Sequence, residues 1–587
     1  MAKPPKSTAP FPTREQVLEF INDSPAQVGK REIARAFQLD VEQKRQLKKL
    51  LRELTLEGHL QKGRGKRYAN PDTLPEVTIV QIVGVDADGD ALAQPLNWRA
   101  ETPPPRVYML PERRGQPALG VGDRVLARLT RSPDGSYKAK TIRRIAAAPA
   151  TMLGVYEPAE DGGGRIRPTD KRQKSDLIVA PGDSLRADPG ELVRAEIVPG
   201  RHLGLRQAKV VERYESMDNP RAISLIAIHE HGIPDEFPDA AAAAAEAASA
   251  APMGRRTDLR DLPLVTIDGA DARDFDDAVW AEPDPDEANP GGWHLIVAIA
   301  DVSWYVRPDA PLDKEARKRG NSVYFPDRVV PMLPEALSNG WCSLVPKEDR
   351  PCMAAHLWID AKGHLKRHRF VRAMMRSAAR LTYEQVQAAR DGRPDDVTGP
   401  LLDTVIAPLY GAYAALDAYR TARHALDLEM PERQVMIAED GTVAGIRERQ
   451  RLDSHKVIEE FMITANVAAA ETLEQRRAPC LYRIHDRPSL EKVEALNQFL
   501  GSLDMSFARG QVAKPIQFNQ ILKRVAGTPE AHMVNQIVLR TQAQAEYSPN
   551  NIGHFGLALR RYTHFTSPIR RYADLLVHRA LIAALGL

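Results

Sequence analysis

The sequence predicts a multidomain α+β protein, and three observations support this fold class. The chain has 587 residues, which is more than one hydrophobic core accommodates, and this length suggests about four domains. Leu47, Leu50, Leu51 and Leu54 recur at helical spacing. Residues 75–215 consist instead of short alternating strands between Gly, Pro and Asp turns.

The composition is that of a soluble globular protein. Apolar residues make up 43% of the chain and charged residues 27%, which are ordinary values for this class. No apolar run reaches roughly 18 residues, so we expect no membrane span, and the N-terminus lacks the apolar stretch of a signal peptide. Three cysteines without a CxxC pair indicate a reducing compartment, so we expect a cytoplasmic protein.

The first domain, which we predict over residues 1–72, combines helices with a basic wing. A helical segment at 31–37 is followed by the leucine-rich helix and then by Gly63–Tyr68 (GRGKRY), and this order is typical of a winged helix-turn-helix. Residues 1–70 carry 15 Lys/Arg against 8 Asp/Glu, and this positive excess suggests a polyanionic partner. Winged helices bind nucleic acid or dock onto proteins, and the sequence leaves both roles open.

An internal repeat indicates two further domains, at residues 75–147 and 150–215. Gly122–Leu129 (GDRVLARL) recurs as Gly190–Ile197 (GELVRAEI) at an offset of 68 residues. We expect two small β-barrels that resemble cold-shock OB-folds, which present strands and loops to single-stranded nucleic acid. A purely structural role is the alternative. No base-stacking platform is assigned, because the aromatic residues are sparse: Trp98, Tyr108, Tyr137 and Tyr156.

The segment Leu264–Val279 (LVTIDGADARDFDDAV) is the most informative part of the sequence. An apolar run leads into its first aspartate, Gly269 permits a sharp turn, and apolar strand-like segments flank it on both sides. Strands and a turn would hold its carboxylates close together and partly buried. The four aspartates that we expect to converge are Asp268, Asp274, Asp276 and Asp277.

Four carboxylates at such close range would repel one another and take up protons unless a divalent cation stabilised them. Oxygen ligands without His or Cys favour Mg²⁺, with Mn²⁺ as the alternative, over Zn²⁺. Such a site suits phosphodiester hydrolysis, with one ion activating water and a second stabilising the leaving oxygen.

The acidic segment has three competing interpretations. An EF-hand loop starting at Asp271 fails, because its sixth position is Asp276 rather than Gly. A pair of glycosidase carboxylates would not need four acids so close in sequence. A plain acidic surface loop remains open, although the flanking apolar strands count against it.

Two further segments carry residues that could contact phosphate or nucleic-acid bases. Tyr562–Tyr572 (YTHFTSPIRRY) contains adjacent Arg570 and Arg571, and arginine binds phosphate in a bidentate manner. The alternative is a helix N-terminus with solvated arginines. Asn321–Pro326 (NSVYFP) contains Tyr324, whose ring would either stack on bases or pack in the core.

Together these three segments resemble the ribonuclease II/ribonuclease R (RNB) family. The similarity lies in the acidic segment, in VYFP with the following PMLPE at 331–335, and in residues 564–571. The domain order is also similar, with a winged helix, two cold-shock barrels and then a catalytic RNB domain. We place that domain at 216–587, with a linker region at 216–257. The resemblance implies a processive 3′-to-5′ exoribonuclease that hydrolyses single-stranded RNA to nucleoside 5′-monophosphates.

The resemblance also implies roles for single residues. The four aspartates would form the Mg²⁺ site, with Asp268 and Asp277 as direct ligands and Asp276 indispensable for cleavage. Arg570 would hold the scissile phosphate. Tyr324 would stack near the 3′-terminal nucleotides and help to set the product length. The remaining residues expected to bind RNA are Arg571, His564 and Glu459, the last in a segment similar to a family helix near the RNA channel.

The sequence departs from the family pattern at its end. In the family an OB-type RNA-binding domain follows the catalytic domain, whereas this sequence stops at Leu587, so we expect weaker capture of RNA. We expect a monomer that takes single-stranded RNA into a channel, and the sequence identifies no partner in RNA decay. The alternative functions are a non-catalytic RNA-binding regulator with the same fold and a duplex-DNA-binding transcription factor. The intact aspartate set and Arg570 favour the enzyme.

Overall fold

The fold is described from a computed structural model. It describes residues 11–23, 28–37, 39–56, 61–62, 67–69, 74, 76–85, 91–95, 104–110, 119, 123–132, 136–145, 151–160, 162–169, 175–202, 205–216, 221–438, 442–507 and 513–587. The chain divides into two compact units, one of Met1–Pro189 with Val193–Arg213 and the other of Gly190–Leu192 with Tyr214–Leu587. Each unit is described by itself.

The first unit begins with a small helical domain. Its elements are α1 (Arg14–Asp23), β1 (Val28–Gly29), α2 (Lys30–Ala36), α3 (Val41–Leu56), β2 (Gln61–Lys62) and β3 (Arg67–Ala69). The strands form a sheet in the order β1-β3-β2, and apolar residues such as Val17, Ile33 and Leu51 are fully buried between the helices. The predicted helices are present, the winged-helix assignment stays a prediction, and residues 63–66 of the predicted wing lie outside the described residues.

Two closed five-stranded barrels follow, as the sequence repeat predicts. The first contains β4 (Val77–Val85), β5 (Ala91–Pro95), β6 (Val107–Met109), β7 (Arg124–Arg131) and β8 (Tyr137–Ile145). The second contains β9 (Thr151–Pro158), β10 (Gly164–Pro168), β11 (Leu177–Val179), β12 (Glu191–His202) and β13 (Leu205–Ser216). Both barrels enclose small apolar cores. Tyr137 and Tyr156 belong to these cores, so neither ring offers a stacking surface.

The second unit is built on a seven-stranded mixed sheet in the order β14-β21-β20-β17-β16-β15-β22. Its first half contains α4 (Arg221–Glu230), α5 (Asp239–Glu246), β14 (Thr257–Asp258), β15 (Val265–Asp268), β16 (Asp277–Pro283), β17 (Trp293–Ala300), α6 (Val302–Tyr305), α7 (Pro311–Arg319), β18 (Val323–Tyr324), β19 (Val329–Val330), a helical turn at Ala336–Trp341, β20 (Asp349–Ile359), β21 (Leu365–Arg376) and β22 (Ala379–Thr382).

Helices dominate the rest of this unit. They and the remaining strands are α8 (Tyr383–Arg390), helical turns at Gly399–Leu401 and Leu402–Ile406, α9 (Ala407–Ala422), β23 (Glu432–Ile437), β24 (Val443–Arg449), α10 (Asp453–Gln475), β25 (Tyr482–His485), α11 (Leu490–Gly501), α12 (Pro515–Val525), α13 (Ala531–Thr541), β26 (Ala545–Ser548) and α14 (Tyr572–Leu585). In the described part of the chain, no helix combines the length and apolarity needed to span a bilayer.

The central sheet is covered on both faces, which explains its nearly continuous apolar strands. Alternate residues of β17 point to opposite sides. Leu295, Val297 and Ile299 pack in one core with residues of α8, α9, α10 and α14, while Ile296 and Ala298 pack in a second core with residues of α5 and α7. Because both faces of the sheet are packed, the ends of its strands have fixed positions. The candidate site lies at one of these ends.

Candidate active site

The acidic segment spans the connection between two neighbouring strands. Strand β15 ends at Asp268 and β16 begins at Asp277, and the two strands pair in antiparallel fashion with Val265 opposite Val279. Both aspartates therefore lie at the same end of the sheet, and the other two belong to the loop that joins the strands. The predicted delivery of carboxylates by strands and a turn is what the structure shows.

The connecting loop, residues 269–276, is held by side chains from distant parts of the sequence. Ser343 Oγ accepts from the backbone nitrogen of Phe275 at 3.0 Å and donates to the carbonyl of Arg273 at 2.8 Å. Arg380 donates from Nη2 to the carbonyl of Gly269 at 3.3 Å and to that of Ala270. Side chains thus form hydrogen bonds with four backbone groups of the loop. These bonds hold the loop backbone that carries the carboxylates in one arrangement.

Gly269 opens the turn that follows Asp268. The backbone nitrogen of Ala272 donates to the carbonyl of Gly269 at 3.1 Å, so the sharp turn expected from the sequence is present. The φ of Gly269 is not among the positive values of the described residues. A Cβ at this position would lie 3.0 Å from Oδ1 of Asp271, the end of an exposed side chain that can move, so the structure does not restrict this position to glycine.

Asp276 is the most deeply buried of the four aspartates, with 4% of its surface exposed. Its Oδ1 accepts from the backbone nitrogen of Ile569 at 2.9 Å, a residue from the downstream arginine segment. Its Oδ2 is buried without a hydrogen-bond partner in the described part of the chain and lies 3.7 Å from Nε of Arg570. A buried carboxylate oxygen without a donor carries a cost of about 1–3 kcal/mol, and a cation in the site would remove that cost.

The pKa values of three of the aspartates are raised, mainly by burial. For Asp268 the negative charge of Asp274 adds to the effect. The pKa of Asp277 rises to about 7, with the charge of Asp268 as a further cause, and the pKa of Asp276 lies well above its usual range, with Asp274 and Asp277 contributing. Arg570 opposes all three shifts. The four carboxylates and Arg570 therefore share one electrostatic environment.

Arg570 faces this environment with part of its guanidinium free for a ligand. Its side chain is 42% exposed, and among the described residues its one side-chain hydrogen bond goes from Nη2 to Ser567 Oγ at 3.0 Å. Arg571 has a different environment, because its Nε and Nη2 donate to the two oxygens of the fully buried Asp574 at 2.8 and 2.7 Å. The geometry favours Arg570 as the phosphate ligand and gives Arg571 a structural pairing.

The third predicted segment also meets the aspartates. Tyr324 donates from its hydroxyl to Asp274 Oδ2 at 3.1 Å, and 53% of its surface is exposed. The backbone of this segment joins the arginine segment through a hydrogen bond from Ser322 nitrogen to the Arg570 carbonyl at 2.9 Å. The three segments selected from the sequence are thus brought together in the structure.

Two of the expected RNA-binding residues have protein partners. His564 Nδ1 forms a 2.7 Å hydrogen bond with the hydroxyl of Tyr547, and burial lowers its pKa to about 3, so the ring is neutral at physiological pH. Glu459 pairs with Arg420 and Arg451. Both roles stay predictions, and a carboxylate tied to two arginines is a poor ligand for phosphate.

Sequence reasoning missed residues that support the site from a distance. Besides Arg380 and Ser343, Tyr383 contributes: its ring stacks on His455 at 4.1 Å between centroids, and the charges of Asp268 and Asp277 raise the pKa of its hydroxyl, after burial as the main cause. Strand β22 brings this tyrosine to the site by pairing in parallel with β15. No local motif marks such residues, because only the sheet pairing places them.

Family comparisons match the part of the chain that contains this site. The RNB domain matches residues 256–586, which include all three segments, and a cold shock domain matches residues 166–238. The second match begins inside our predicted second barrel and extends into the predicted linker, so the domain boundaries at residues 72, 147 and 215 stay predictions.

Relatives with curated descriptions resemble nearly the whole chain. Ribonuclease R of Escherichia coli (strain K12) is 39% identical over 588 residues, which cover 98% of this chain and 70% of that protein. Ribonuclease R of Aquifex aeolicus is 33% identical, with 97% of this chain and 79% of that protein covered.

Solved structures share the fold. RNase R of Mycoplasma genitalium in complex with double-stranded RNA has a TM-score of 0.68 and 27% identity, covering 76% of this chain and 78% of that chain. Yeast Ssd1, described as a pseudonuclease, has a TM-score of 0.53 at 16% identity, covering 96% of this chain and 72% of that chain; this likeness shows the fold alone. The chain therefore belongs to the RNB family and is a 3′-to-5′ exoribonuclease.

Proposed function

We propose that this exoribonuclease degrades single-stranded RNA processively to nucleoside 5′-monophosphates at the aspartate cluster, with Mg²⁺ as its metal. The observation that carries the proposal is the shared environment of Asp268, Asp274, Asp276 and Asp277 with Arg570. Clustered acids next to an arginine that is open to a ligand suit cleavage of a phosphodiester. RNA-bound ribonuclease R structures from Mycoplasma genitalium support RNA as the substrate.

The residues present fit a divalent cation. All four are hard oxygen ligands, which favour Mg²⁺ or Mn²⁺, and Asp276 Oδ2 is a buried oxygen without a hydrogen-bond partner. Three carboxyl groups whose pKa is raised by burial would ionise more readily beside a positive ion. In the positions seen in the structure, no three His, Cys, Asp or Glu side chains of the described residues are arranged to hold a metal. We therefore expect the side chain of Asp274 to turn from Tyr324 towards the ion when the ion binds.

Each residue would have a separate part in hydrolysis. When bound, a divalent cation supplies the Lewis acidity that activates water and stabilises the leaving oxygen. Arg570 would hold the scissile phosphate and offset its charge. Asp276 fixes the arginine segment by accepting from Ile569, which keeps Arg570 close to the carboxylates. Tyr324, exposed beside Asp274, would stack on a base near the 3′ end.

The test is the loss of cleavage in Asp276→Asn. The amide keeps the size of the side chain but removes its charge, so release of mononucleotides should fall about 1,000-fold, equivalent to about 4 kcal/mol in the barrier. Binding of a labelled single-stranded RNA in EDTA should persist. Asp271→Asn is the matched control, because Asp271 lies in the same loop and is exposed.

Three outcomes distinguish the proposed function from its alternative. Cleavage that requires Mg²⁺, stops with EDTA and disappears only in Asp276→Asn supports the proposal. Cleavage by Asp276→Asn at the rate of the parent protein refutes the role of the cluster. Tight RNA binding without any cleavage by the parent protein would favour the alternative, a regulator that keeps the fold. A channel for the RNA strand, a monomeric state and a cytoplasmic location stay predictions.

A further inference from the structure

One wall of the first barrel carries a row of exposed positive charges. Its members, which we call the cation ladder, are Arg124, Arg128, Lys138, Lys140 and Arg143, all exposed on β7 and β8. The two strands are antiparallel neighbours, with Arg128 directly opposite Lys140 and Thr130 opposite Lys138. On β8, Lys138 and Lys140 share a face at a spacing of roughly 6.6 Å, and Arg128 lies beside Lys140 on that face. A register shift between Leu126 and Ala127 places Arg143 opposite Leu126, and the half-buried Leu126 separates Arg124 from Arg128. The ladder is therefore a basic strip that contains one apolar position.

The charge of this strip is almost uncompensated. Arg128 Nε lies 3.7 Å from Oε1 of Glu76, and both side chains are well exposed, so this pair is weak. Within the described residues, the side chains of the other four cations form no hydrogen bond or ion pair. Like charges directly opposite each other destabilise a sheet. The charges of the ladder therefore lower the stability of the fold, and folding does not require them.

The ladder lies on a different wall from the usual ligand surface of this fold. OB-folds present their second and third strands to oligonucleotides, which here are β5 and β6. That wall shows Leu92 opposite Tyr108, with exposed Gln94 nearby, and no charged side chain among its described residues. The first barrel thus has one wall whose strands carry no charge, with exposed Arg106 directly before β6, and a separate wall that is strongly basic.

We propose that the cation ladder binds the phosphate backbone of RNA without reading its bases, in addition to any contacts made by β5 and β6. The strip offers several positive charges but no ring, because the described outward residues of β7 and β8 include no aromatic side chain. Such a surface complements a polyanion rather than a sequence. RNA is the polyanion that this enzyme degrades, so backbone capture at the ladder would keep substrate near the enzyme between cleavage events.

The experiment compares two variants that each lose three positive charges. The ladder variant is Lys138→Gln, Lys140→Gln and Arg143→Gln. The matched control is Lys362→Gln, Lys523→Gln and Arg540→Gln, three exposed cations that share no strand or helix. Binding of labelled oligoadenylate and oligouridylate of about 30 nucleotides, longer than one OB-fold footprint, is measured in EDTA over a series of salt concentrations.

The ladder variant should bind both oligonucleotides at least about tenfold more weakly at low salt. The slope of log affinity against log salt should become shallower by about 2, since each single-strand phosphate contact contributes about 0.7. The control variant should match the parent protein. A Lys138→Arg, Lys140→Arg variant should also match it, because charge rather than residue type is required. The melting temperature of the ladder variant should be equal to or above that of the parent.

Parent-like affinity and salt slope in the ladder variant would overturn the proposal. Equal losses in the ladder and control variants would overturn it too, because they would reflect net charge alone. A loss for one oligonucleotide but not the other would contradict backbone recognition. Since binding is measured in EDTA, failure of the proposed Mg²⁺-dependent cleavage is a separate result and leaves this test intact.

Discussion

Asp277 titrates near neutral pH because burial and the charge of Asp268 raise its pKa from 3.8 to about 7. The folded state therefore binds this proton more tightly than the unfolded state does. The stabilisation from the neutral carboxyl is fully present below pH 3.8 and is lost as the pH rises through about 7. Without a metal, ionised Asp277 destabilises the folded protein at alkaline pH.

Asp277→Asn should accordingly change the pH dependence of stability. In EDTA at about pH 4 the parent and the variant should melt at similar temperatures, whereas at about pH 8 the variant should melt higher by several degrees. Thermal unfolding at the two pH values checks this. A variant that melts lower than the parent at about pH 8 in EDTA would show that the ionised carboxylate is stabilised by the protein alone.

At the residue scale, the sequence shows site residues that are close together along the chain, but it does not show contacts between residues that are far apart in it. The four aspartates fall within ten residues, 268–277, so their clustering was visible as a pattern. Ser343 and Arg380 are separated from the loop they hold by 70 and about 110 residues, and a lone serine or arginine carries no local signal. Arg571 was visible, but its pairing with buried Asp574 could be known only from the structure.

The loop at 269–276 is the element that positions the carboxylates, and Arg380 is its main side-chain anchor. Arg380→Lys keeps the charge but loses the planar guanidinium, whose Nη2 donates to two carbonyls. We expect kcat to fall about tenfold, a loss of about 1.4 kcal/mol, with RNA affinity in EDTA unchanged. Single-turnover cleavage measures this.

The control for the loop variant is Arg376→Lys, whose guanidinium pairs with Asp349 in a partly exposed position. Its cleavage rate should equal that of the parent. If Arg380→Lys cleaves as fast as this control, the loop does not depend on the guanidinium contact, and Arg380 has no positioning role.

Helix α14 depends on Asp574 at its start. This fully buried carboxylate accepts from the backbone nitrogen of Ser567 at 2.7 Å and from both donors of Arg571. Asp574→Ala should lower the free energy of unfolding by about 3–5 kcal/mol, because it leaves a charged partner unpaired. Urea unfolding tests this against Asp403→Ala, an exposed position that should change stability by less than about 0.5 kcal/mol. Equal effects would disprove the structural role of the pair.

Elements were predictable where periodicity or turns marked them. The apolar runs before and after the acidic segment became β15 and β17, and the leucines at helical spacing lie in α3. The two-residue strands β18 and β19 were beyond prediction, because two residues show no period. The parallel pairing of β22 with β15 depends on sheet topology, which a local pattern does not contain.

At the scale of the whole molecule, the internal repeat predicted two barrels, and both are closed and five-stranded. The family resemblance predicted the catalytic domain, which the RNB match at residues 256–586 confirms. The cation ladder was not predicted, since its residues are spread over 124–143 and become one surface only when β7 pairs with β8. Surface charge of this kind is a property of the folded barrel rather than of any segment.

The central claim is that Asp268, Asp274, Asp276 and Asp277 bind a divalent cation beside Arg570 at the end of the central sheet. Anomalous diffraction from crystals of this chain soaked in Mn²⁺ tests it most directly. We predict a peak within about 2.5 Å of carboxylate oxygens from this cluster, lost in Asp276→Asn crystals. Ordered Mn²⁺ at other sites while the four carboxylates stay empty and apart would contradict the account.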